Sequence, residues 1–202
     1  MTEAGRNQDS SPLEDESDRQ LLIQLRDGED LALNALMDRW RKPILAYFYR
    51  TIGDYETAAD LAQEVFVRVY RARRKYKPKA KASAYLFTIA ANLARNHFRW
   101  TKRHPEAALT DEVTSRMERE STQSDPARAL EQTESSAAVR SAVQRLPEKL
   151  RTPVVLFHFN ELPQSEIAEI LRCSEKTVET RLYRARKMLR DSLIKTGGEN
   201  VN

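Results

Sequence analysis

Seven Lys or Arg fall within the eleven residues Arg71–Lys81, with no acid among them. Tyr76 lies inside this run, and Tyr85, Phe87, His97, Phe98 and Trp100 follow it. A run of charge is by itself only a solvated turn. Cations interleaved with aromatics are what single-stranded nucleic acid binding uses: phosphate attraction plus base stacking, roughly 1–3 kcal/mol per base. Part of this aromatic set belongs to a core, because Leu86, Phe87, Ile89, Ala90 and Leu93 have helical spacing. That leaves Lys75, Tyr76, Lys77, Lys79, Lys81, Asn92, Arg95, Asn96 and Arg99 as candidates for contact.

A second constellation lies near the C-terminus, in QSEIAEILRCSEKTVETRLYRARKML. Ile167, Ala168 and Leu171 mark one face of a short helix. Val178, Leu182, Ala185 and Leu189 mark the buried stripe of a longer one. The turn Arg172-Cys173-Ser174 separates them, with small Ala168 where the helices touch, which fits a helix-turn-helix. Ser174 is placed to cap the second helix by accepting a backbone N–H bond. The opposite face carries Lys176, Thr177, Thr180, Arg181, Arg184 and Lys187, suited to base edges at the N-terminal end and phosphates farther along. An ordinary helical hairpin with a solvated basic face explains less, since turn length, small contact residue and charge coincide.

The helix DLAQEVFVRVYR differs. Leu61, Ala62, Val65, Phe66, Val69 and Tyr70 are its core side, and Asp60, Gln63, Glu64 and Arg68 project together from the other. Acids beside a basic loop repel DNA, so this face suits a protein partner; a merely solvated face fits the spacing equally well.

The positioning elements are helices throughout. Five glycines in 202 residues and no alternating β-branched run point to an all-α chain. Residues 1–17 are polar and acidic and read as a disordered tail, with Asp18 a candidate N-cap. Helices are expected around Leu21–Leu25, from Asp30 to Trp40, from Pro43 to Gly53, from Tyr55 to Arg74 and from Ser83 to Arg103. Residues 104–133 are Ser/Thr-rich and acidic, with Pro105 and Pro126, and read as a flexible linker, with a short helix near Asp111–Glu120. About thirty such residues span roughly 30 Å, enough to let two small helical domains, 18–103 and 134–195, dock at separated sites. Residues 196–202 form a polar tail.

Composition excludes several classes. Charged residues make up 32% of the chain, above the usual share of about 25%. No apolar run approaches the roughly 20 residues of a membrane span, and the acidic N-terminus is no signal peptide, so the expected home is the cytoplasm. His97, His104 and His158 are scattered and Cys173 is the only cysteine, giving no metal-ligand set; its expected role is a packed turn thiol. Neither a Gly-rich phosphate loop nor a nucleophile–base motif is present, so no cofactor and no catalysis are expected.

Taken in order, DLAQEVFVRVYR, AYLFTIAANLARNHFR and LPQSEIAEILRCSEKTVETRLYRARKML resemble the extracytoplasmic-function sigma factors of bacterial RNA polymerase. The resemblance covers about residues 18–103 and 134–194. It implies a region 2 bundle that docks on the β′ clamp helices through Asp60, Gln63, Glu64 and Arg68, and opens the −10 element with Tyr76 to Arg99. It implies a region 4 domain that binds the β flap and reads the −35 duplex with Ser174 to Lys187, and an anti-sigma protein as a further partner. The chain departs from the family pattern at Ala91, where Arg is common, at Asn96, where Asp is common, and at Arg172, a turn position usually given to Gly. Two rivals remain at this stage: a stand-alone helix-turn-helix regulator, disfavoured by the Asp60–Arg68 face and the aromatic basic loop, and a nucleic-acid-processing enzyme, disfavoured by the missing catalytic constellation.

Overall fold

Apolar stripes at helical period, interrupted by a few caps, dictate every element of the structure. The computed structural model describes residues 12–77, 81–105 and 134–198, with side chains over 16–77, 81–105 and 138–194. The described residues form eight α-helices and one 3-10 turn, with no strand among them. The all-α expectation holds.

Helix α1 (Pro12–Asp27) buries Leu22 and Leu25. It starts upstream of Asp18 and takes in residues 12–17, assigned above to the tail; Pro12 stands at the first helical position, where its missing N–H costs nothing. Asp18 is therefore not a cap. Its buried carboxylate accepts the Trp40 indole N–H at 2.9 Å and pairs with Arg39 at 2.7 Å. Helix α2 (Leu31–Ile52) is one 22-residue helix where the sequence suggested two. Pro43 sits inside it without ending it. An internal proline costs about 3 kcal/mol, and the buried stripe Leu36, Ile44, Tyr47 and Phe48 running past it offsets that cost.

Gly53 ends α2 with φ +96 and its N–H bonded to Tyr49 O at 2.9 Å. A Cβ there would lie 3.0 Å from the Gln144 side chain, so both conformation and space require glycine. Asp54 then caps α3 (Tyr55–Ala72), accepting the Thr57 N–H at 2.8 Å. Ala58, Ala62, Val65, Phe66 and Val69 bury the inner face of α3, which tightens into a 3-10 turn at Arg73–Lys75. Helix α4 (Ala82–Arg103) buries Leu86, Phe87, Ala90 and Leu93, with Ile89 half-buried. Trp40 and Tyr47 meet the Phe87 ring edge-on at 6.0 and 5.5 Å.

The second group is α5 (Glu134–Arg145), α6 (Glu148–His158), α7 (Gln164–Leu171) and α8 (Glu175–Gly198). Helix α8 runs past Lys195 into what the sequence suggested was tail. Val143, Leu146, Val155, Ile167, Ile170, Val178 and Leu182 close its core. The helix expected at Asp111–Glu120 and the linker from 106 to 133 lie outside the described residues.

The two groups pack against each other, α7 on α4 and α5 and α6 on α2. Their buried residues form one continuous cluster. Several charged side chains of the second group sit in this seam. The half-buried Arg151 guanidinium donates to Thr51 O at 2.6 Å, to Leu146 O at 2.9 Å and to Gln144 O, and lies 5.4 Å over the Phe98 ring. Burial lowers its pKa from the ordinary guanidinium value, opposed by the Glu148 charge; it remains charged. The buried Glu166 carboxylate pairs with Lys81 at 2.5 Å and accepts from Ser83 Oγ at 3.4 Å. Arg140 donates to the Tyr49 hydroxyl at 2.9 Å, and Arg50 lies 4.6 Å over the Phe159 ring.

Replacing Arg151 tests the seam. Arg151→Met leaves three carbonyl oxygens without this donor and should destabilise the full chain by about 2–4 kcal/mol, as for a buried charged hydrogen-bond partner. Denaturant unfolding beside wild type measures it, and a loss below about 0.5 kcal/mol would show that Arg151 is not a staple.

Candidate polymerase and nucleic-acid interfaces

The α7–α8 connection is built by backbone geometry first. Cys173 N–H bonds to Ala168 O at 3.0 Å and Arg172 N–H to Glu169 O at 3.2 Å. These are the paired bonds of a Schellman turn, which needs a left-handed residue between them. Arg172 supplies it with φ 51 and ψ 52, a conformation glycine tolerates more cheaply. Ser174 caps α8 as expected: its Oγ accepts the Thr177 N–H at 3.2 Å and lies 2.9 Å from Thr177 Oγ1. Val178, Leu182 and Ala185 are buried and Leu189 half-buried. The opposite side exposes Ser174, Lys176, Thr180, Arg184 and Lys187, with Thr177 and Arg181 half-buried beside them. Cys173 is half-buried, its Sγ 3.8 Å from Arg181 Nη1.

On α3, Asp60, Gln63 and Arg68 are exposed and Glu64 half-buried, on the side away from the core. Arg68 Nε donates to Glu64 Oε1 at 2.8 Å, an i,i+4 pair at the surface. Val67, 40% exposed, lies between them. Sequence reasoning passed over it; its signal was an apolar residue off the core stripe of an otherwise polar face.

The aromatic basic segment differs from expectation at its central residue. Tyr76 is only 5% exposed, its ring tilted against Tyr85 at 5.1 Å. The 3-10 turn brings this about. Arg73 stacks over the Tyr70 ring at 3.8 Å, Tyr70 donates to Asp30, and the turn packs on α1, folding the chain inward at Tyr76. Tyr76 in this arrangement is a core residue and not an open stacking platform. Lys75 and Lys77 are exposed, Lys79 lies outside the described residues, and Lys81 is engaged by Glu166. On α4, Asn96 and Arg99 are exposed and Asn92 and Arg95 half-buried, with Arg95 donating to Asn92 Oδ1 at 3.2 Å. Trp100, 41% exposed, stacks on His104 at 5.1 Å just beyond them.

The α-helical body thus carries a polar-acidic helix face, a cationic aromatic segment and a helix-turn-helix. Residues 36–104 match the Sigma-70 region 2 family and residues 136–189 match Sigma-70, region 4. The RNA polymerase sigma-H factor of Pseudomonas aeruginosa is 32% identical, over 90% of this chain and 96% of that protein. The ECF RNA polymerase sigma factor SigW of Bacillus subtilis is also 32% identical, over 84% of this chain and 93% of its own length. Among solved structures, CnrH in complex with the cytosolic domain of CnrY has a TM-score of 0.65 at 28% identity, covering 89% of this chain and 98% of that one. The sigma factor RpoE bound to the anti-sigma factor NepR, from Bartonella quintana, shares the fold with a TM-score of 0.59 at 20% identity, over 79% and 95% of the two chains. The chain belongs to the extracytoplasmic-function group of RNA polymerase sigma factors. It is a promoter-directing factor and not a stand-alone regulator. Among the described residues no helix is long and apolar enough to cross a membrane.

The left-handed Arg172 yields a test free of partner effects. Arg172→Gly and Arg172→Ala both remove the guanidinium, but only glycine relieves the backbone. The glycine variant of the full chain should be the more stable by roughly 1 kcal/mol in denaturant unfolding. Equal stabilities, or an alanine variant ahead, would contradict a left-handed turn.

Proposed function

We propose that the three faces divide the work of promoter-specific initiation. Asp60, Gln63, Glu64 and Arg68, with Val67 among them, dock on the β′ clamp helices of core RNA polymerase. Lys75, Tyr76, Lys77, Lys79, Lys81, Asn92, Arg95, Asn96 and Arg99 open and hold the −10 element as separated strands. Ser174, Lys176, Thr177, Thr180, Arg181, Arg184 and Lys187 read the −35 element as duplex while the second group of helices rests on the β flap. The chain performs no bond chemistry of its own; the polymerase supplies it, in the cytoplasm. The solved relatives CnrH and RpoE are bound to CnrY and to an anti-sigma factor. Those complexes support an anti-sigma partner for this chain.

The observation that carries the reading is the pairing, in one chain, of an exposed face of mixed charge and polarity on α3 with a capped cationic recognition helix α8. Phosphate contacts alone position a protein on DNA without specifying sequence, so a helix end aimed at base edges is needed as well. The burial of Tyr76 and the engagement of Lys81 by Glu166 add one requirement. The seam between the two groups of helices must part before the −10 residues meet a base, and polymerase binding at α3 and at the flap supplies the differential affinity that parts it.

Transcription with purified core polymerase on a library of promoter fragments tests the whole reading. Discrete start sites should arise only when the chain is added; their absence with an active core would overturn it. The α3 face is tested separately by Asp60→Lys with Glu64→Lys. The lost Glu64–Arg68 surface pair costs at most about 1 kcal/mol, so the double variant should stay helical by circular dichroism yet fail to co-purify with core. Co-purification at wild-type yield would remove this face from the account. For α8, Arg181→Ala and Arg184→Ala should each weaken duplex binding by roughly 1–3 kcal/mol if a base is read, or lower the log–log salt slope by about one if a phosphate is held. Unchanged affinity and slope in both variants would show that another surface reads the duplex.

A further inference from the structure

The seam between the two groups of helices encloses a cleft of about 440 Å³. Arg95 and Arg99 of α4 enter it from one side, and Lys149, Arg172 and Arg181 from the other. Glu148 is its one acid. Among the described residues none of the five cations forms an ion pair. Arg95 bonds only the neutral Asn92, and Arg181 approaches only the Cys173 sulfur. Arg95 and Arg181 are half-buried and Arg99, Lys149 and Arg172 exposed, so gathering these like charges at one cleft opposes the closed arrangement, most at the two half-buried guanidiniums. A multiply charged anion reverses the sign of that term. Ala91 adds a small, buried side chain to the lining.

We propose that this cleft binds a small polyphosphate anion and that binding holds the two groups of helices together. Four guanidiniums suit this ligand, since each presents a planar fork that matches two oxygens of a phosphate. The ligand is a chain of linked phosphates and not a single one, because cations from α4, α6, the α7–α8 turn and α8 itself must be bridged at once. Duplex DNA is excluded by the size of the space. A ligand bound here occupies Arg95, Arg99 and Arg181 together, so it competes with promoter binding and opposes opening. Anion binding rests on the closed seam alone; only the competition rests on the promoter-contact reading given above.

The probe is inorganic tripolyphosphate, titrated into the full chain by calorimetry, with inorganic phosphate as the comparison. Tripolyphosphate should bind with one site per chain and inorganic phosphate at least about tenfold more weakly. Lys149→Gln with Arg172→Gln alters two exposed side chains outside the proposed promoter contacts. It should weaken tripolyphosphate about tenfold or more, the usual loss for charge-assisted bonds. Glu166→Lys provides the opposing control. It places two ammonium groups where Lys81 and Glu166 now pair, parts the seam, and makes the chain more cationic. General polyanion attraction would then increase, whereas a site made by closure should weaken about tenfold. Tripolyphosphate binding equally or more tightly to Glu166→Lys, or retained affinity in the Lys149/Arg172 variant, would overturn the proposal and leave an adventitious anion only. Duplex binding by Glu166→Lys is measured alongside. Its retention shows that α8 still reads DNA, so loss of the anion is not failure of the promoter reading.

Discussion

Two charges in the seam, half-buried Arg151 and buried Glu166, constrain the arrangement of everything else. A charge withdrawn from water must be paired or hydrogen-bonded, or the fold loses several kcal/mol. Neither charge finds all its partners within its own group of helices. Arg151 bonds Gln144 O and Leu146 O nearby but completes its set on Thr51 O, and Glu166 takes Lys81 and Ser83 from across the seam. The first group is shaped to receive them. Gly53 ends α2 against Gln144 without a side chain, and Lys81 stands just before the first turn of α4. Apolar packing of α7 on α4 adds area, but these polar contacts fix the register.

The same contacts place functional side chains in conflict with their expected use. Lys81, Arg95 and Arg99 belong to the proposed −10 surface, and Arg181 to the −35 surface, yet all four meet in or beside the seam. Tyr76 is buried behind the 3-10 turn. By contrast the α3 face and most of the α8 cationic side remain open to solvent. On the proposed assignment of the three faces, α3 is open in the closed chain whereas the residues near α4 are partly covered, so a partner at α3 needs no parting of the seam.

What the sequence disclosed is local. Helical stripes such as Val178–Leu182–Ala185 and Leu86–Ala90–Leu93 are visible because a 3.6-residue period repeats within a few turns. The cap at Ser174 follows from its place between the two stripes, and the left-handed place of Arg172 from the glycine usual there in the family that the chain resembles. Apart from the helix ends at Pro12 and Gly198, the failures depend mainly on partners distant in the chain. Asp18 looked like a cap because its indole partner Trp40 is on the next helix. Pro43 looked like a boundary because the stripe that carries α2 past it is held by Phe87 on α4. Tyr76 looked exposed because its cationic neighbours are; the Arg73–Tyr70–Asp30 contacts that fold it inward are invisible in spacing. The seam itself pairs residues up to a hundred positions apart, Thr51 with Arg151, and no periodicity reports such a contact.

On the proposed function, the chain holds a closed seam in isolation and separates its two groups of helices on core polymerase. Spin labels at Asp38→Cys on α2 and Arg186→Cys on α8, both exposed, with Cys173→Ser removing the native thiol, measure it by pulsed dipolar spectroscopy. The free chain should give one short, narrow distance, and the chain bound to core a longer one. A single unchanged distance in both states, in a variant that still supports transcription, would contradict the account.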